Sequence, residues 1–100
     1  MLGGIDLVAR LLRANPGSPE LNRLWVQIWL QFGSPTDIKV SIKGLASRVR
    51  DEKLIALMEM YSLMALGKRI EAVRVGQRYP DDPEITGIVM QQEVDRKSVV

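Results

Sequence analysis

Apolar residues recur along most of this chain with the period of an amphipathic α-helix. A short first helix is predicted from Ile5, Val8, Leu11 and Leu12, and the turn signal Asn15-Pro16-Gly17 ends it. Ser18 and Pro19 are typical of an N-cap and a first helical position, so a second helix is predicted from there to Gly33. Its apolar residues are spaced i, i+3, i+4, i+7, i+8 and i+11: Leu21, Leu24, Trp25, Ile28, Trp29 and Phe32.

The segment after Gly33 carries two conflicting patterns. Ser34 and Asp37 have the spacing of a capping box, with Asp in place of the usual Glu, which predicts the start of a helix. The letters DIKVSIK that follow alternate strictly between polar and apolar residues, which by itself favours a strand. We predict a helix, because a lone strand would have no partner in a chain this helical. A helical stripe is also present: Ile38, Ile42, Leu45 and Val49.

Three further helices are expected in the second half. The stretch from Asp51 to Leu66 is apolar almost all round, so the helix must be covered on several sides. A shorter helix is predicted after Gly67 and ends at Pro80. Asp82 and Pro83 cap a last helix that fades into a frayed tail, DRKSVV.

Gly33 and Gly67 lie 34 residues apart, and each stands between a long apolar helix and a second helix-forming stretch. A period of this length is typical of helix-turn-helix arrays. Such arrays stack neighbouring units to bury apolar surface and present a concave face to partners. The repeat therefore predicts an all-α array of five to six antiparallel helices, and a function in binding rather than in catalysis.

The segment EMYSLMALGKRIEAVRVGQRYPDDPEI resembles a tetratricopeptide repeat. Where such repeats prefer small residues for close helix packing, this chain has Val26, Ile38 and Met60, which predicts helix pairs that splay wider than usual. The fold expected from this resemblance is a tetratricopeptide-like array of about two and a half repeats. The residues that carry the resemblance are Tyr61, Leu63, Gly67, Glu71, Ala72 and Pro83.

The carboxyl half, LMEMYSLMALGKRIEAVRVGQRYPDDPEITGIVM, also looks like the end of type III secretion chaperones of the YscG/PscG/AscG type. The spacing from Gly67 to the Asp82-Pro83 cap and Ile85 fits that family without a gap, whereas the amino half fits only in its helix pattern. The resemblance implies a cytoplasmic chaperone that holds a needle subunit monomeric. It also implies a second small helical chaperone as a partner.

A binding groove is predicted where tetratricopeptide arrays face their concave side. Met58, Met60 and Met64 support a groove, because unbranched thioether side chains adapt to irregular apolar surfaces such as a bound amphipathic helix. The alternative is that these residues belong to an ordinary core. The predicted groove residues are Gln27, Leu30, Gln31, Leu57, Tyr61, Met64, Ala65, Ile88, Val89 and Gln92.

The amino-acid composition excludes several kinds of active site and metal site. The chain of 100 residues fits one domain, residues 1–100, and contains no Cys or His, which excludes thiol chemistry, disulfides and zinc sites of the usual kinds. Gly67-Lys68 lacks the upstream glycine of a P-loop, and Glu59 and Glu71 show no sign of convergence. We expect no catalysis, metal or cofactor.

The amino terminus lacks the basic residues that begin a signal peptide, and no apolar run approaches the ~18 residues of a membrane span. We therefore expect a cytoplasmic protein without a membrane partner.

Nucleic acid binding is the rival function. IKGLASRVRDEKLIALMEM can be interpreted as a helix-turn-helix with LASRV as its first helix. The net charge is only +2, and the supposed recognition helix carries Leu, Ile and Met rather than base-reading polar groups. Trp25 and Trp29 lie one turn apart and could stack a ligand or anchor an interface, but their place in a regular apolar stripe assigns them to packing between repeats. Two interpretations, an outer positive face or the solvated surface that such a spread usually forms, stay open for the basic residues Lys39, Lys43, Arg48, Arg50, Arg69, Arg74 and Arg78.

Overall fold

The structure, a computed structural model, describes residues 2–98 and the side chains of residues 4–94. All secondary structure in that part of the chain is helical, so the all-α prediction is confirmed, including the segment whose alternating pattern favoured a strand. The last helix continues to Ser98. All side chains of the predicted frayed tail, residues 95–100, lie outside the described side chains, so this prediction falls outside the described residues. The six helices are α1 (Leu2–Ala14), α2 (Pro19–Phe32), α3 (Pro35–Arg48), α4 (Glu52–Ala65), α5 (Arg69–Gly76) and α6 (Pro83–Ser98).

Side-chain caps fix where these helices begin. At α3 both halves of the capping box form: the Asp37 N–H donates to Ser34 Oγ at 3.2 Å, and the Ser34 N–H donates to Asp37 Oδ2 at 3.0 Å. This local arrangement decides against a strand, because it satisfies backbone donors that a helix start leaves free. The same type of cap, from a side-chain oxygen to the N–H three residues on, is made by Ser18, Asp51 and Asp82.

The helices stack as pairs. Each helix contacts the next along the chain, and α4 with α5 is the most extensive of these pairings. Helix α2 also packs directly against α4, so the first helices of two consecutive pairs lie side by side. With α6 packed on α5, the result is the expected two and a half pairs, preceded by α1 on α2. The molecule is elongated, with principal extents of 46 × 27 × 18 Å.

Helix α4 lies at the centre of the core and contacts α2, α3 and α5. Its Met58 and Met60 are fully buried, which confirms that a helix apolar all round is covered on several sides. The interpretation of Met58 and Met60 as support for a groove is therefore wrong. Of the three methionines of α4, Met64 is the one that keeps an accessible side.

Two glycines shape the α4–α5–α6 region. Gly67 has a φ of 79°, a left-handed backbone conformation that glycine adopts most readily. This conformation ends α4 and allows the Lys68 N–H to donate to the Leu63 carbonyl at 2.7 Å. Gly76 brings α5 close to its neighbours: a Cβ there would lie 2.4 Å from Val89 Cγ2 and 2.7 Å from Met60 Cε. Helix α5 ends at this contact, four residues before the predicted end at Pro80.

We expect Gly76→Ala to lower the free energy of unfolding by about 1 to 3 kcal/mol, because the added methyl overpacks the contact with Val89 and Met60. The control is Gly87→Ala in α6, where a Cβ meets nothing within 4 Å. It should raise stability by about 0.5 to 1 kcal/mol through helix propensity. Urea unfolding followed by circular dichroism measures both. Equal stability of the two variants would contradict the close packing at Gly76.

Candidate partner-binding surface

Helices α2, α4 and α6 meet at their amino-terminal ends around a cavity of about 180 Å³. Arg23 of α2, Leu57 of α4 and Glu84 of α6 all line it. Arg23 Nη2 lies 3.1 Å from Glu84 Oε1, so an ion pair joins α2 to α6. The amino-terminal halves of these three helices therefore lie on one side of the molecule.

Most of the predicted groove residues lie one or two helical turns after the residues that line this cavity, counted along the same helix. Residues three or four apart share a face of a helix, so Gln27 follows Arg23, Tyr61 follows Leu57 and Ile88 follows Glu84. We infer one surface along the three helices and call it the α2/α4/α6 surface. Its residues are Gln27, Leu30 and Gln31 of α2, Tyr61, Met64 and Ala65 of α4, and Ile88 of α6.

The side chains of this surface differ in exposure according to their chemistry. Gln27, Gln31 and Ala65 are exposed. The apolar residues are half-buried and pack against the core: Leu30, Tyr61, Met64 and Ile88. Each of these larger side chains is held on its inner side and accessible on its outer side. The surface is therefore a shallow apolar strip with glutamines on α2.

Three of the predicted groove residues do not contribute to the accessible strip. Leu57 is only 5% exposed and belongs to the core beside α2. Val89 packs against Gly76 and next to Met60, between α5 and α4. Gln92 lines a cavity of about 400 Å³ between α5 and α6. Helix α6 packs chiefly on α5, so Val89 and Gln92 lie on the side of α6 that faces α5.

All seven predicted basic residues except Arg48 are exposed, and five of the seven lie on α3 or α5, the second helices of their pairs. Lys39 and Lys43 on α3 and Arg74 on α5 are exposed. Arg48 is half-buried, and its Nε donates to Asn22 Oδ1 at 2.8 Å. Asn22, which is completely buried, was not identified from the sequence. Asn22 lies one turn before the buried Val26, and a polar residue on a buried helix face needs hydrogen-bond partners, which is the signal for such a position.

The helix-turn-helix interpretation conflicts with the burial of α4. LASRV forms the end of α3, and the supposed recognition helix is α4. A recognition helix must be free to enter the major groove. Helix α4 is enclosed by α2, α3 and α5, with Leu57, Met58 and Met60 in the core, and cannot do so while the domain stays folded.

Within the described residues, no group of three or more acidic, His or Cys side chains is placed to bind a metal ion. Across the same residues, none of the helices combines the length and the apolar character needed to cross a bilayer. No protein-family model, curated protein or solved structure matches the chain.

We expect Leu57→Ala to destabilise the protein by about 2 to 4 kcal/mol, because removal of most of a buried side chain leaves a cavity in the core. Gln31→Ala, at an exposed position of α2, should change stability by less than about 0.5 kcal/mol. Chemical unfolding of the two variants beside the parent chain tests this difference. If the Leu57→Ala variant is as stable as the Gln31→Ala variant, the assignment of Leu57 to the core is wrong.

Proposed function

We propose that the chain is a cytoplasmic chaperone that binds an amphipathic helix of a type III secretion needle subunit and prevents its premature polymerisation. The observation that carries this proposal is the pair Tyr61 and Met64, which pack against the core on one side and face solvent on the other. The resemblance of the carboxyl half to needle-subunit chaperones names the partner. The binding residues proposed are those of the α2/α4/α6 surface.

The chemistry of this surface suits a helix with one apolar stripe. Such a helix offers anchors at i, i+3, i+4 and i+7, which match a strip of half-buried apolar side chains. Met64 can adapt its unbranched side chain to an irregular partner. Gln27 and Gln31, one turn apart, supply amide donors and acceptors for the polar border of the bound helix. A subunit that polymerises through its own apolar stripe would be masked by this contact.

A second small helical chaperone is proposed to cover the amino-terminal helices. Val8 and Leu12 of α1 are buried, whereas Leu7 and Leu11 are 57% and 42% exposed. The two exposed leucines lie one turn apart and form a stripe on the outer side of α1. An apolar stripe of this kind is suited to pairing with another helix.

A general tetratricopeptide interaction module that binds an unrelated protein is the alternative. It would use the same surface, so the identity of the bound protein decides between the two. Affinity purification of the tagged chain from its native host, followed by mass measurement of what stays bound, provides that identity. The chaperone proposal requires a short helical needle subunit in the complex.

We expect Ala65→Arg to abolish capture of the needle subunit, because a long charged side chain would be placed within the apolar strip. Ala65 is exposed, so the variant should fold normally. Ala46→Arg on α3 is the matched control, since it makes the same change at an exposed alanine of another helix. Capture by both variants at the level of the parent chain would refute the proposed surface.

Met64→Glu should also abolish capture while circular dichroism shows most of the helicity retained, because a carboxylate would be desolvated against the partner. Met90→Glu provides the comparison: Met90 is 61% exposed and lies two residues beyond Ile88, on another side of α6. If Met64→Glu unfolds the chain and Ala65→Arg still binds, then Met64 belongs to the core and the surface is misplaced.

Ionic strength separates the proposal from nucleic acid binding. Contacts to phosphate make affinity fall steeply as salt is added, whereas an apolar strip binds a helix almost independently of salt. We expect the affinity for the needle subunit to change by less than about threefold between low and physiological salt. Binding of DNA or RNA that weakens steeply over the same range would favour the rival function.

A further inference from the structure

Two apolar stripes stay uncovered at the two ends of the stack of helices. Helix α1 packs on α2, and its outer side carries Leu7 and Leu11, which we call the α1 stripe. Helix α6 packs on α5 and carries Met90 and Val94, which lie one turn apart and are 61% and 59% exposed. We call this pair the α6 stripe. None of the described helices covers either stripe.

The α1 stripe occupies a position that is buried in α3. Leu11 lies three residues before the end of α1, and Leu45 lies three residues before the end of α3. Leu45 is completely buried in one core cluster with Val26 of α2, the helix that precedes α3, whereas Leu11 is 42% exposed. The outer side of α1 therefore has the position and the chemistry of a surface that packs against a preceding first helix of a pair.

The α6 stripe occupies positions that are covered in α4. Val94 and Leu63 each lie twelve residues after the capping aspartate of their helix, but Leu63 packs against the core. Five residues after the same caps, Ala56 is buried, whereas a Cβ added to Gly87 would meet nothing within 4 Å. Ala56 and Leu63 share a face of α4 with Met60, which lies against α5. Helix α6 therefore leaves open the side on which α4 holds its second helix.

The charges beside the two stripes are complementary. Arg10 is exposed one turn after Leu7 on α1, and Glu93 is exposed one turn after Met90 on α6. Neither charged side chain makes an ion pair with another described residue. Residues 1–50 include seven basic and three acidic side chains, whereas residues 51–100 include seven basic and nine acidic ones. Electrostatic attraction therefore favours contact between unlike ends of two molecules.

We propose that the α1 stripe of one copy of this chain binds the α6 stripe of a second copy. In this head-to-tail contact α1 packs beside α6 as α5 packs beside α4, and Arg10 faces Glu93 at the border of the contact. Two different surfaces are joined, so each copy binds a neighbour at either end, which gives chains or rings rather than closed pairs. A second small chaperone bound to the α1 stripe would compete with this contact and keep the copies apart.

Sedimentation velocity of the intact chain tests this contact. The weight-average mass of the parent chain should rise with concentration up to about 1 mM, the range of a small and weak interface. Leu11→Glu blocks the α1 stripe and Met90→Glu blocks the α6 stripe, because each places a carboxylate where the contact excludes water. Both positions are exposed, at 42% and 61%, so both variants should fold. Each variant alone should self-associate at least about tenfold more weakly than the parent chain.

A mixture of the two variants distinguishes a head-to-tail contact from a symmetric one. Leu11→Glu keeps its α6 stripe and Met90→Glu keeps its α1 stripe, so an equal mixture should form a complex of twice the mass of one chain and grow no further. Ala46→Glu, which adds the same charge at an exposed position of α3, should self-associate like the parent chain.

Three results would each overturn the head-to-tail contact: a parent chain that stays monomeric at about 1 mM, a single variant that associates like the parent, or a mixture that stays monomeric. Pairs formed by Met90→Glu alone would indicate contact between two α1 stripes instead. Pairs formed by Leu11→Glu alone would indicate contact between two α6 stripes.

Discussion

The need to cover an apolar helix on several sides at once governs this structure. Helix α4 carries large apolar side chains around most of its circumference, and water cannot be excluded from it by one neighbour. Helices α2, α3 and α5 surround it, and their arrangement as stacked pairs follows from that contact. The stripe of α4 that these neighbours leave accessible contains Tyr61 and Met64, which is why the candidate surface lies there.

The helix starts could be predicted from the sequence because their causes are local. A serine or aspartate three residues before a free N–H forms the cap whatever the rest of the chain does, as at Ser34 and Asp51. The end of α5 at Gly76 differs from the predicted end at Pro80, because the prediction took the proline as the stop signal and passed over the glycine four residues before it. The close approach of Val89 and Met60 to Gly76 is a tertiary contact that the spacing of residues 69–80 does not show.

The candidate surface could be predicted only in part. Helical periodicity places Gln27, Gln31 and Ala65 on an accessible face, and the structure shows these residues exposed. Periodicity cannot say how α6 rotates when it packs on α5, and this rotation decides where Val89 and Gln92 lie. The depth of Leu57 likewise depends on the direct contact of α2 with α4, which skips a helix in the chain.

Asn22 joins the loop after α1 to the end of α3 through hydrogen bonds to Pro16, Ser18 and Arg48. The position of α1 therefore depends on its packing against α2, where Val8 and Leu12 are buried, together with this polar joint to α3. Polar joints of this kind are directional and open cooperatively, since loss of one bond frees its partners. We infer that α1 and its loop form a separate opening unit, which exchanges its amide hydrogens at a lower free energy than the enclosed α4.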